Sequence, residues 1–270
     1  VFLRTHNVEY EIWKRLAGSA DNLLKKWYLN FLSKRLYHYE KELLNKFDGL
    51  LCITALDADR FKEMGCTIPV QIAPVSIDID SYPYDTGVLR DGSAFHLGSM
   101  DWLPNIEGVD WFIQNVYPLI KNKFPSTITL AGKAMPERLL KLNSARLNII
   151  GKVDDARGFM ADKSIMLVPL LSGGGMRVKI VEGMAMGKAI VSTAIGAEGI
   201  EYVDGESVII ADNPEQFAEA LIHIASNPDR CMEIGAKARE QAKLFYDNAV
   251  IGKAVSGFIR NIIKDKKAGI

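Results

Sequence analysis

Cysteine, net charge and long apolar runs are all scarce in this 270-residue chain, and each shortage narrows what it can be. The three cysteines, Cys52, Cys66 and Cys231, are odd in number and share no metal-ligand spacing, which argues against a disulfide framework or a structural zinc and fits a reducing cytoplasm. The 33 Lys and Arg equal the 33 Asp and Glu, so the basic excess that a nucleic-acid coat requires is absent. The longest uncharged stretch, residues 64–77, is broken by Pro69 and Pro74 and is shorter than the roughly 18 apolar residues of a membrane span. Neither a signal h-region nor a start methionine precedes the strand-like VFLRT at Val1, so the sequence reads as a fragment of a longer chain. With 48% apolar and 24% charged residues the chain is nonetheless ordinary globular material, long enough for about two domains or one large one.

From Val8 to about Lys46 the apolar residues Ile12, Leu16, Leu23, Trp27, Phe31, Leu36 and Leu43 fall near a 3.6 period, predicting two helices separated around residues 18–21. Residues 49–53 read as a buried strand, Thr54 with Asp57 as the cap of a helix ending at Met64, and residues 70–73 as another strand. Residues 74–92 carry Pro83, Gly87 and Gly92 without apolar periodicity, so they read as a connector at a domain boundary. Beyond it, short apolar strands at 94–97, 127–131, 147–150, 165–169 and 189–193 alternate with helical stretches, with a further strand at 207–211. That alternation predicts βαβ units and a parallel sheet. From Pro214 onward the pattern is helical, broken at Asn227–Pro228 and near Asp247.

Ligands of parallel α/β sheets sit beyond the carboxyl ends of the strands, so chemistry is sought in the loops that follow them. Gly98 and Ser99 follow one strand, where glycine admits a ligand to the backbone or serves a tight turn. Gly173, Gly174 and Gly175 precede a helix whose start carries Arg177 and Lys179. Adjacent amides at a helix N-terminus favour an anion, and two cations placed there oppose the helix dipole unless an anion neutralises them. The run fits neither the G-x4-G-K-[ST] nor the G-x-G-x-x-G spacing, which disfavours ATP hydrolysis and nicotinamide binding. Glu182, five residues past Arg177 in an otherwise Met, Ala and Val helix, faces either solvent or a hydroxyl-rich ligand such as a ribose.

Residues 95–105 (FHLGSMDWLPN), 173–179, 180–193 (IVEGMAMGKAIVST) and Asp204-Gly205-Glu206 together resemble the donor domain of family 4 glycosyltransferases of the GT-B fold. Arg4-Thr5-His6-Asn7-Val8-Glu9 resembles the H-N-x-E segment late in the acceptor-side domain of bacterial members. The resemblance implies a nucleotide-diphosphate sugar donor, retention of anomeric configuration and no obligate metal or cofactor. It also implies that Glu182 is the ribose-holding second glutamate of an E-x7-E motif whose first glutamate falls at Gly174. The usual Arg and Lys of the G-R-x…K-G segment are replaced near Ser99 and Glu107, which shifts the expected phosphate contacts to Arg177 and Lys179. Gly151 and Val153 stand where the backbone commonly pairs with the base.

His6, between a strand and a helix, is expected either to touch acceptor or phosphates or to be structural, and Lys133 is expected to be a secondary phosphate contact or a solvated turn residue. His38, His96 and His223 read as structural. The surplus of four cations within residues 1–46, with Trp27, Tyr28 and Phe31 among them, fits an amphipathic core helix or a membrane-surface helix, the core helix being the favoured reading. The expected fold is therefore α/β, a Rossmann-like parallel sheet with flanking helices and a partial second Rossmann-like domain. The expected division is a truncated acceptor-side domain at 1–75, a donor-binding domain at 76–245, and a final helix at 246–270 that returns to the first domain. The expected function is transfer of a sugar from a nucleotide-sugar donor to a sugar or lipid-linked acceptor, in the cytoplasm or at the inner face of the membrane, with no nucleic-acid partner. The truncated chain is expected to be inactive alone. A non-catalytic nucleotide-sugar module, or an epimerase on the same plan, is the alternative.

Overall fold

The computed structural model describes residues 1–18, 20 and 22–268, so part of the predicted interruption, Ser19 and Asp21, lies outside the described residues. The chain divides into two compact units, one of Val1–Ser76, Gly174–Met176 and Ala249–Ile270, the other of Ile77–Gly173 and Arg177–Asn248.

The first unit opens with strand β1 (Phe2–Thr5), helices α1 (Glu9–Gly18) and α2 (Leu23–Leu44), strand β2 (Gly49–Cys52), helix α3 (Ala55–Glu63) and strand β3 (Val70–Ile72). The strands pair in parallel in the order β1-β2-β3, with Leu50 opposite both Leu3 and Val70. Thr54 caps α3 by accepting the Asp57 amide at 3.0 Å, the exchange its residue type is suited to make. The Glu40 carboxylate of α2 serves α1 in the same way, accepting the amides of Glu9 and Tyr10 at 2.9 and 3.1 Å. Burial of that carboxyl group raises its pKa above the usual carboxylate range.

The register of α2 departs from the sequence expectation. The face turned inward holds Leu29, Ser33 and Leu44, with Ser33 donating to the Tyr10 carbonyl, while Leu23, Trp27 and Phe31 are exposed. A helix apolar on two sides has no unique inward face from periodicity alone, and the hydrogen bonds to α1 select one.

The second unit holds a six-stranded parallel sheet built from β4 (Ala94–Leu97), β5 (Ile128–Ala131), β6 (Leu147–Ile150), β7 (Ile165–Val168), β8 (Ala189–Ser192) and β9 (Ile209–Ile210). Between them run α4 (Leu103–Trp111), which passes through a π-helical segment Phe112–Val116 into α5 (Tyr117–Ile120), then α6 (Glu137–Leu140), α7 (Ala156–Ala161) and α8 (Val178–Ala185). Helices α9 (Pro214–Ala225) and α10 (Pro228–Phe245) follow the sheet, and α11 (Asn248–Lys267) returns to the first unit, where Phe258 meets Phe2 edge-on at 6.0 Å. The core is continuous across β4, β5, β6, β7 and β8 and the apolar faces of α4, α9 and α10. Fully buried on both faces, β7 is an unbroken apolar run, and β5 and β8 admit only Thr129 and Ser192 besides apolar residues.

Strand order is β6-β5-β4-β7-β8-β9, so the chain winds outward from β4 to β6, crosses back, and continues on the other flank of β4 from β7. The order therefore reverses between β4 and β7, and the crevice beyond their carboxyl ends is where a ligand is received in such sheets. Among the described residues no helix is long and apolar enough to cross a membrane.

Candidate functional site

Two loops meet at that reversal. The first follows β4 and runs from Gly98 to Trp102; the second follows β7 and runs from Pro169 to Arg177. They are joined where the Arg177 guanidinium lies 4.9 Å from the centre of the Trp102 ring, a cation–π contact. The Ser172 hydroxyl donates to Glu107 on α4 at 2.7 Å, fastening the second loop again.

Close backbone approach demands glycine at one of the strand ends, Gly132. The Gly98 amide donates to the Ala131 carbonyl at 3.0 Å and the Gly132 amide to the Gly151 carbonyl at 3.1 Å, so Gly98, Gly132 and Gly151 line up across β4, β5 and β6. A β-carbon on Gly132 would overlap the Gly98 carbonyl oxygen. Ser99 accepts a hydrogen bond on its carbonyl from Asn105 at 2.8 Å, and Lys133 pairs with Asp101 at 3.0 Å, both groups largely exposed. Val153 is half-buried beside the exposed Lys152–Asp154 pair.

In the second loop Gly173 and Gly175 have φ of 112° and 79°, the left-handed region that suits glycine, with Gly174 between them. Arg177 then stands at the N-cap of α8 with no side-chain capping bond, and the helix carries no acid in its first turn. The apolar side of α8, Ile180, Val181, Met184 and Ala185, is buried, which fixes the helix against the sheet and leaves Lys179 and Glu182 at its border.

Glu182 is nearly buried and doubly engaged. Lys179 lies 2.9 Å from its Oε2, and the Tyr82 hydroxyl donates to its Oε1 at 3.1 Å. Arg157 stacks over the Tyr82 ring at 4.1 Å and donates to the same hydroxyl at 3.1 Å. Burial first, and the Glu182 charge second, raise the Tyr82 pKa, which keeps the hydroxyl protonated and donating. The two cations at the helix start are expected to oppose the dipole unless an anion neutralises them, and for Lys179 the Glu182 carboxylate supplies negative charge within the helix itself. Glu182 is likewise neither solvent-facing nor free.

Gly98 and Ser99 follow β4, Lys133 follows β5, and Gly151 and Val153 follow β6, while Gly173 and Arg177 lie after β7 and Lys179 and Glu182 on α8; Gly174 and Gly175 fall in the first unit. His6 is exposed after β1 in the first unit. His96 is buried within β4, its Nδ1 3.0 Å from the Leu167 carbonyl, and burial lowers its pKa. Sequence reasoning missed Trp102, Arg157 and Tyr82 as site residues. Tyr82 sits in the segment read as a connector, where the only signal is its spacing three residues after the fully buried Ile79.

A model of the family described as "Glycosyl transferases group 1" matches residues 92–227. A Klebsiella pneumoniae protein described as an uncharacterized 44.6 kDa protein in the cps region is 27% identical over 263 residues, covering 94% of this chain and 66% of that protein. This chain therefore spans about two thirds of that relative's length. Among solved structures, Anabaena HepE in complex with UDP has a TM-score of 0.71 at 14% identity, covering 96% of this chain and 72% of that one. Sucrose-phosphate synthase from Thermosynechococcus elongatus also has a TM-score of 0.71 at 14% identity, covering 98% and 68%. At such identities the likeness shows the fold, the GT-B arrangement of glycosyltransferases.

Proposed function

The chain belongs to the group 1 glycosyl transferases, and from that premise we propose that it receives a nucleotide-diphosphate sugar at the β4–β7 crevice and serves transfer of that sugar, with retention, to a sugar or lipid-linked acceptor. The observation that carries this reading is one stretch of chain, Gly173 to Glu182, at the reversal of strand order. Its glycine amides and Arg177 and Lys179 suit a diphosphate, and Glu182 one turn further suits the two vicinal hydroxyls of a ribose. Gly98, Ser99 and Lys133 would border the donor across the crevice, with the Gly151–Val153 backbone beside the base.

In this reading the bond from the anomeric carbon to the β-phosphate oxygen breaks, an acceptor hydroxyl oxygen bonds to that carbon on the same face, its proton passes to the departing diphosphate, and negative charge accumulates on that diphosphate as it leaves. Arg177, Lys179 and the loop amides stabilise that charge through fixed donors, which need no reorganisation as it develops. Lys179 exchanges part of its contact with Glu182 for phosphate, while Glu182 takes up the ribose hydroxyls and remains held by Tyr82. His6 is proposed to act on the acceptor side. No cofactor is required beyond the donor. HepE has been crystallised with UDP, which makes uridine nucleotides the first to try.

Gly174 favours a second reading, since it stands where the family pattern has its first glutamate. A chain without that carboxylate could hold a nucleotide sugar and not transfer it. Calorimetry with UDP, GDP and ADP tests the donor site, and release of UDP from UDP-sugar only in the presence of acceptor separates enzyme from binder.

A further inference from the structure

The two oxygens of the Glu182 carboxylate are held unequally. Oε1 accepts from the Tyr82 hydroxyl at 3.1 Å, and Tyr82 is only 4% exposed. Oε2 is buried as well, yet it accepts no well-directed hydrogen bond; the Lys179 ammonium, on a side chain 42% exposed, lies 2.9 Å from it. A carboxylate offers about four acceptor sites, and a buried oxygen left short of donors calls for an explanation.

The Tyr82 oxygen is itself engaged. Arg157 Nη2 donates to it at 3.1 Å while the guanidinium carbon lies 4.1 Å from the centre of the Tyr82 ring, so one side chain grips both the oxygen and the aromatic face. An oxygen that already accepts from a cation has its own proton left to give, and the cation draws electron density from it, which strengthens the bond it donates. The supports of this chain of donors are fixed in turn. Helix α7, which carries Arg157, is fastened at its end by the Lys188 ammonium, which donates to the Ala161 and Lys163 carbonyls at 3.0 and 2.5 Å. Arg239 of α10 donates to the Ala185 carbonyl at the end of α8 and lies 5.0 Å from the centre of the Tyr84 ring, which ties the segment around Tyr82 to the helix that carries Glu182. The Tyr82 amide donates to the carbonyl of the fully buried Ile79 at 3.2 Å. All of these residues belong to the second unit.

We infer that Tyr82 and Arg157 are a positioning pair for the nucleotide, holding Oε1 of Glu182 so that Oε2 is the oxygen presented to the ribose hydroxyls once Lys179 turns to the phosphates. The inference rests on the proposed donor site and adds to it which oxygen is fixed and which is exchangeable. Lys179 reaches the carboxylate on a partly exposed, flexible stem and can leave it; Tyr82 is buried, with its ring and oxygen both gripped by a guanidinium, and stays. A pair that merely offset a buried charge would stabilise the fold without separating ribose from deoxyribose.

The test is calorimetry of the full chain with UDP, 2′-deoxy-UDP and pyrophosphate. Tyr82→Phe, which keeps the ring beside Arg157, should lower UDP affinity about fivefold, shrink the ratio of UDP to 2′-deoxy-UDP affinity about threefold, and leave pyrophosphate binding within about twofold of the parent. Arg157→Met should shrink that ratio about twofold in the parent and no further in Tyr82→Phe, because Arg157 acts through the phenol. In a Glu182→Ala background Tyr82→Phe should cost less than about twofold in UDP affinity, because Tyr82 acts through the carboxylate. A ratio unchanged in Tyr82→Phe, or losses in Tyr82→Phe and Glu182→Ala that multiply in full, would overturn the positioning role and leave the donor site standing. Equal losses for UDP and pyrophosphate would overturn it as well, by assigning the pair to the shape of the loop. Should Glu182→Ala fail to fold, the ratio in Tyr82→Phe alone decides. No UDP binding by the parent would overturn the donor site, and the positioning role with it.

Discussion

Glu182→Gln separates the ribose-holding role of this residue from its internal pairing. Glutamine keeps a carbonyl that can accept from Tyr82, but its amide group then meets the Lys179 ammonium donor to donor. Lys179 is partly exposed, so losing that pair lowers stability by only about 0.5–1 kcal/mol after screening by solvent. The ligand effect is larger. A hydrogen bond to a charged group contributes about 1.5–3 kcal/mol and a neutral one about 0.5–1.5, so each ribose hydroxyl loses about 1 kcal/mol and UDP as a whole about 2, roughly thirtyfold in affinity. The informative quantity is the gap between UDP and its 2′-deoxy analogue, measured by calorimetry in both proteins, because the difference cancels effects on the diphosphate. The gap should shrink by about 1 kcal/mol in the variant. Pyrophosphate should bind the variant at least as well as the parent, since Lys179 no longer faces a carboxylate. A gap that does not change would refute the placement of Glu182 on the ribose, and an equal loss for pyrophosphate and UDP would show that the carboxylate merely shapes the loop.

Arg177→Ala and Lys179→Ala should each weaken UDP binding by about 1.5–3 kcal/mol in the same calorimetric assay, and a loss of melting temperature with unchanged affinity would count against both as phosphate contacts. Gly132→Ala should lower the unfolding free energy in urea by about 1–3 kcal/mol, because its β-carbon would displace the Gly98 carbonyl at the crevice; a neutral result would mean that the strand ends can give way. Lys188 is buried with its ammonium donating to the Ala161 and Lys163 carbonyls at 3.0 and 2.5 Å, and burial pushes its pKa down to about 8 from 10.5. Between those values the unfolded chain binds more protons at this site than the folded chain, so its contribution to stability rises with pH through that window. Tyr82 and Tyr246, whose pKa values burial raises, act in the opposite sense near and above pH 10. Urea titrations across the lower part of the window should therefore show a rise in the parent relative to Lys188→Met, and parallel curves would contradict it.

The sheet was legible because buried parallel strands are short apolar runs, and β4 and β6 begin and end where those runs do, with β7 and β8 one residue shorter. The cap at Thr54 and the glycine-rich approach to α8 were legible for the same kind of reason, since a local residue type does a local job. Tyr82 was not. Its role depends on meeting Glu182, a hundred residues away, and the three-residue helical turn of Ile79–Ser81 before it is too short to show a period. The π-helical segment at Phe112–Val116 is invisible to a 3.6-residue pattern, which it breaks by a fraction of a turn. The face of α2 was misassigned because periodicity records only that apolar residues share a side, and in a helix apolar on two sides the partner, here α1, decides which is buried. The pairing of Lys179 with Glu182 was within reach, since residues three apart on a helix are neighbours.

The central claim is that the segment from Gly173 to Glu182 holds a nucleoside diphosphate. It is tested most directly by titrating UDP, GDP and ADP into the chain at low and high salt. Saturable binding of at least one of them is expected, weakening as salt rises because charge–charge contacts at a partly exposed site are screened, and falling sharply in Arg177→Ala. No binding by any of the three, or binding indifferent to both salt and Arg177→Ala, would contradict it.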